Sequence, residues 1–251
     1  MMRLGLCLVA ALCIPASFAA IAQDTGGLFD KPMKVLRIPL PKDDPEDENV
    51  RPMLSCFYYE SVTVKQIDPG IGAIWLSILP RDAGKPLPKC VTPRAPDEKA
   101  LLGWHGYFKG IRAPYVFFDA HHSWNGGTGF AVFSFAEGQK LFDDVADTIH
   151  GIDVTASGLT LRYRRAYAAP CSLYADSAGC WSKVAQATAL TGDAPDYAAA
   201  YGADIQLTGA DKDKVTASPT IVAYEAETLL GSTGAVTKPL PGAVTCHPAT
   251  R

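Results

Sequence analysis

The chain predicts a mainly β fold: a single antiparallel sandwich or barrel-like domain with one or two short helices and disulfides. Three observations carry this. Roughly eight to ten short runs of β-branched and aromatic residues are separated by Gly, Pro and Asp turns. Residues 159–169 alternate cleanly, with Leu159, Leu161, Tyr163, Arg165 and Tyr167 on one face and Thr160, Arg162, Arg164 and Ala166 on the other. Helical periodicity is scarce.

Taken in order, residues 23–52 form an acidic, proline-rich N-terminal segment. It carries the run Asp43-Asp44-Pro45-Glu46-Asp47-Glu48, read as a solvated loop, and an edge strand at 35–40. An all-β domain follows at 53–230. Cys56-Phe57-Tyr58-Tyr59 and Val62-Thr63-Val64-Lys65 open it, Asp68-Pro69-Gly70 turns the chain, and residues 74–79 form an apolar run closed by Pro80. A proline-rich connector leads to strands at 104–111, 115–119, 129–135 and 139–142. Residues 115–118 and 130–135 are apolar on both faces, which places them inside the fold rather than at an edge. A helix is expected at 181–190, one further turn at 196–201 and a strand at 220–230. The Gly-, Thr- and Pro-rich stretch 231–251 reads as a mobile tail.

Residues 1–22 have the form of a signal peptide: Arg3, an apolar stretch at 4–14, Pro15, then Ala20-Ile21-Ala22 as a small-x-small cleavage pattern. The apolar stretch is short for a transmembrane anchor. Cys7 and Cys13 leave with it, and five cysteines remain without zinc-site spacing. In an oxidising compartment the expected pairs are Cys171 with Cys180 and Cys56 with Cys90, leaving Cys246 single. Periplasmic or secreted localisation follows. A formal charge of −3 gives no basic field for nucleic acid, and no apolar run after the leader is long enough to span a bilayer.

The most unusual stretch is Asp119-Ala120-His121-His122-Ser123-Trp124-Asn125-Gly126-Gly127, a polar loop expected between two very apolar strands. Imidazoles and a carboxylate suit zinc, copper or iron, but adjacent strand residues point to opposite faces and no third ligand is fixed by spacing. Asp119 and Asn125 are oxygen donors for calcium, yet the spacing departs from the alternating acidic pattern of a calcium loop. No metal and no cofactor are therefore assigned. Trp104, His105, Asp119, His121, His122, Trp124 and Asn125 are taken together as a candidate ligand-binding group, with Tyr107 and Tyr115 as further cleft walls, because flat aromatic surfaces beside polar groups suit small ligands. The arginines at 162, 164 and 165 are read as structural ion pairs, with Arg165 opposite to the other two. No G-x-S-x-G, S-x-x-K, H-E-x-x-H, phosphate loop or dinucleotide fingerprint is present. The expectation is an exported bacterial envelope protein, a non-enzymatic β-domain binding a small molecule or an envelope partner. The alternative is a secreted hydrolase working from the 119–127 loop, with or without a metal.

Overall fold

Phe117 and Phe118 are neighbours in sequence, so an extended backbone sends them to opposite faces, and both are fully buried. The sheet that holds them must be covered on both sides. The computed structural model describes residues 27–42, 50–70, 72–73, 75–124 and 126–249, without the side chains of His122 and Trp124. The expected leader at 1–22 with Cys7 and Cys13, the acidic run at 43–48 and Asn125 lie outside the described residues.

A first sheet is an antiparallel meander of β1 (Lys34–Pro39), β2 (Met53–Tyr58), β3 (Val62–Asp68), β4 (Trp75–Pro80) and β5 (Lys99–Leu101), in that order. The second runs from β6 (Gly106–Arg112) through β7 (Tyr115–Trp124), β8 (Gly127–Ser134), β9 (Lys140–Thr155), β10 (Gly158–Ala168) and β11 (Thr220–Gly231) to β12 (Gly234–Pro239). Strand β13 (Thr245–Pro248) pairs with the first residues of β11, on the same side as β12. Both sheets are antiparallel and open, in a sandwich-like arrangement; the barrel-like option does not form among the described residues.

Two cores explain the coverage. Val116, Phe118, Ala131 and Phe133 pack against Val62, Val64, Leu76 and Ile78 of the first sheet. Phe117, Phe130 and Val132 face the other way, in one cluster with Leu173, Cys180, Val184 and Leu190 of the helical insertion. Each fully buried phenylalanine contributes about 1.5–3 kcal/mol by leaving water.

That insertion, between β10 and β11, holds α1 (Ser177–Thr188), α2 (Tyr197–Thr208) and α3 (Lys212–Ala217). Three helices therefore stand where one or two were expected. Each begins after an aspartate (Asp176, Asp196 and Asp211) whose carboxylate accepts from first-turn N–H groups.

The cysteines form the expected pairs: Cys56–Cys90 and Cys171–Cys180 have S–S distances of 2.05 and 2.09 Å, and Cys246 is a buried free thiol. In the chain-entropy model the loops they close are worth about 4 and about 3 kcal/mol. The stretch from 231 is a further correction, because β12 and β13 extend the second sheet where a mobile tail was expected. No helix among the described residues is long and apolar enough to cross a membrane.

Candidate functional site

The polar stretch 119–127 is mostly strand rather than loop. Strand β7 continues to Trp124 and β8 starts at Gly127. The register slips between the pairs Asp119↔Phe130 and Ser123↔Thr128, leaving Ala120, His121 and His122 in a bulge. Strand β6 pairs with this segment through Gly106↔Ala120 and Tyr107↔Asp119, so His105 comes near it in the chain as anticipated. Only glycine fits at 106: a Cβ there would lie 1.8 Å from the Asp119 carbonyl oxygen.

Of the expected group, the structure describes the side chains of Trp104, His105, Asp119 and His121. Both Asp119 carboxylate oxygens lie 2.8 Å from Lys109 Nζ. His105 and His121 are exposed. The Trp104 ring reaches toward Gly129 and packs on the inter-sheet core, with Lys140 Nζ 5.9 Å from the ring centroid. Tyr115 stands at the start of β7, ahead of Asp119 and His121 in the strand, beside Pro114 and Leu141. His122, Trp124 and Asn125 cannot be placed, their side chains lying outside the described residues. Among the described residues no three His, Cys, Asp or Glu side chains form a group able to hold a metal ion. The arginines behave as read: Arg162 and Arg164 pair with carboxylates on the outer face of the sheet, and Arg165 pairs with Asp144 on the inner one.

A more enclosed site lies on the outer face of the first sheet. Period-2 alternation puts Thr63, Lys65 and Ile67 of β3 on that face, and the register aligns three cross-strand rows: Tyr58–Thr63–Leu79, Cys56–Lys65–Ser77 and Leu54–Ile67–Trp75. Residues 81–98 fold back over these rows. Cys90 is bonded to Cys56, and Tyr58 donates to the Pro88 carbonyl at 3.1 Å. Lys65 Nζ donates to the carbonyls of Val91 (3.3 Å) and Pro93 (3.1 Å). It also lies 2.7 Å from each carboxylate oxygen of Glu98, with side-chain exposures of 10% for Lys65 and 4% for Glu98. Ser77 Oγ and the Ala95 N–H complete the coordination of that carboxylate.

This central pair divides the space under the connector into two cavities of about 230 Å³ each, both lined by Lys65, Arg94 and Glu98. One has Thr63 and Leu79 in its floor beneath Pro88, Val91 and Pro93; the other has Ile67, Trp75 and Ser77. The Thr63 side chain is buried, yet its hydroxyl has no hydrogen-bond partner among the described residues. At the rim Arg94 stacks over the exposed Trp75 ring, 5.3 Å from its centroid, and has no carboxylate partner among the described residues.

Sequence reasoning missed these residues, although one signal was available. Pairing Cys56 with Cys90 already implies that the connector returns over β2, which brings Lys89, Arg94 and Glu98 to the face that carries Lys65. Comparison of the chain with protein-family models, with curated proteins and with solved structures finds no match.

Proposed function

We propose that this is an exported, extracytoplasmic binding protein of the bacterial envelope, which holds a small molecule in the cleft between residues 81–98 and the first sheet. The observation that carries the proposal is Thr63, a residue that lines a cavity and whose buried hydroxyl meets no protein acceptor or donor among the described residues. A buried polar group left unpaired costs about 1–3 kcal/mol, and a ligand that bonds to it recovers that cost. Binding rather than turnover fits the local chemistry. Glu98, the carboxylate in the cleft, is engaged by Lys65, Ser77 and Ala95 and held below its ordinary pKa, so it is a poor proton acceptor. Export is supported by the leader pattern and by two cysteine pairs at bonding distance.

The binding test is a thermal-shift panel of sugars, ions and metabolites on the mature protein, repeated on Thr63→Val. The variant is expected to be more stable than the parent by about 1 kcal/mol, since it removes an unpaired hydroxyl, and to bind any hit at least about fivefold more weakly. A hit insensitive to Thr63→Val but lost in His121→Ala would move the site to the β7–β8 bulge. A panel without hits would count against binding altogether.

Export has its own readout. The chain recovered from the extracytoplasmic fraction should begin near Gln23 and carry both disulfides. Burial pushes the Cys246 thiol up to about 11, so iodoacetamide at pH 8 should spare the native protein. After denaturation without reduction, peptide mapping should find label on Cys246 and none on the four paired cysteines. Label on Cys56 or Cys171 would contradict the oxidised state.

A further inference from the structure

We infer that the ligand of this cleft is a small organic carboxylate, with its anionic head on Arg94 and its apolar body in the lobe floored by Thr63 and Leu79; the inference rests on the binding site proposed above. Charge comes first. Within the cleft Lys65 and Glu98 neutralise each other at 2.7 Å, so the uncompensated charge is that of Arg94 and Lys89, neither of which has an ion-pair partner among the described residues. The Arg94 guanidinium lies over the Trp75 ring at the rim, 5.3 Å from its centroid, and a guanidinium suits a planar two-oxygen group such as a carboxylate.

Size comes next. A lobe of about 230 Å³ is smaller than the roughly 300–1,000 Å³ typical of drug-sized ligands. At about 30 Å³ per water-sized group it takes on the order of eight heavy atoms. Its lining fixes the character of the body: Leu79, Pro88, Val91 and Pro93 are apolar, and Thr63 carries one hydroxyl without a protein partner among the described residues. A carboxylate with an apolar body and a single hydroxyl or carbonyl group meets all three conditions. A bare inorganic anion would leave both the apolar walls and Thr63 unused.

The test uses calorimetric titration of the mature, oxidised protein with 4-hydroxybenzoate, with its neutral amide 4-hydroxybenzamide, and with inorganic phosphate. The carboxylate is expected to bind at least about tenfold more tightly than the amide, and phosphate at least about tenfold more weakly than the carboxylate. Arg94→Gln should erase the preference for carboxylate over amide, while Arg94→Lys should restore part of it. Melting temperature provides the folding control, since Arg94 is exposed. Equal binding of carboxylate and amide, both weakened by Thr63→Val, would overturn the anionic class and leave the binding site standing. Phosphate binding as tightly as the carboxylate would overturn the organic class. A carboxylate preference that survives Arg94→Gln would overturn the assignment to Arg94. If none of the three probes binds, the ligand class falls, and the binding proposal falls with it only if the wider panel also fails.

Discussion

Glu98→Ala lowers the stability of the mature chain by about 3–5 kcal/mol, the range for removing one partner of a buried ion pair. The cost arises less from the lost attraction than from what remains. Lys65 keeps two carbonyl acceptors but has no counter-charge, in a place where its side chain is only 10% exposed. Ser77 Oγ and the Ala95 N–H lose their acceptor as well. The loosened element is the connector, so the Cys56–Cys90 bond should also be reduced faster in the variant. Replacing both partners, Lys65→Met with Glu98→Leu, should recover the part of the loss that comes from the stranded charge, while Ser77 Oγ and the Ala95 N–H remain without their acceptor. Urea unfolding of the three proteins measures this, and a loss below about 1 kcal/mol for Glu98→Ala would show that the pair is not the fastening it resembles.

The same carboxylate sets an acid limit. Burial alone would raise its pKa, but the hydrogen bonds from Lys65, Ser77 and the Ala95 N–H, together with the Lys65 charge, outweigh burial and hold it below the ordinary range. The unfolded chain therefore binds more protons than the folded one just below the usual glutamate value of about 4.3, and stability rises with pH there. The contribution is complete above that value and is lost as pH falls through the lower folded one. Glu98→Gln should flatten that portion of the acid limb.

The fold was legible where one side chain after another obeys a single rule. Residues 115–118 and 130–135 are apolar on both faces, and the structure covers both faces with different partners. The alternation of 159–169 placed Arg165 apart from its neighbours, and that is where it lies. Strand β9 was read only as far as 142 because Asp143, Asp144 and Asp147 argue against a strand taken alone. Its continuation depends on β10, whose Arg162, Arg164 and Arg165 meet Asp153, Asp147 and Asp144 across the ladder. The final strands were missed for a related reason: Gly and Pro content says tail, while β11 is long enough to pair with β12 along one half and β13 along the other. The candidate site was illegible for a stronger reason. Its floor is three cross-strand rows, and rows exist only once register is set, so no local motif marks Thr63, Lys65 and Trp75 as neighbours of Arg94 and Glu98.

Asp144→Ala should cost about 3–5 kcal/mol as well, on the opposite side of the molecule and without changing ligand binding. The Asp144 side chain is 11% exposed, with Oδ2 2.8 Å from Arg165 Nε and accepting from Tyr163 OH at 2.7 Å. From there the bonds continue through Thr228 to Thr237 of β12, and through Arg165 Nη1 to Tyr224 OH at 2.9 Å. Four strands thus share one polar chain inside an otherwise apolar layer. Removing Asp144 strands the Arg165 charge, and Arg165→Met strands the carboxylate, so the double variant should cost much less than the sum of the two, by at least about 1 kcal/mol. Additive losses in urea unfolding would mean that the groups do not act as a unit. Alkaline unfolding offers a second check. Burial raises both Tyr163 and Tyr224 above the ordinary tyrosine value. Above about pH 10 the unfolded chain therefore sheds protons that the folded one keeps, and stability falls as pH rises. Tyr224→Phe removes one of these groups and should make the alkaline limb shallower, while leaving the Glu98-dependent acid limb unchanged.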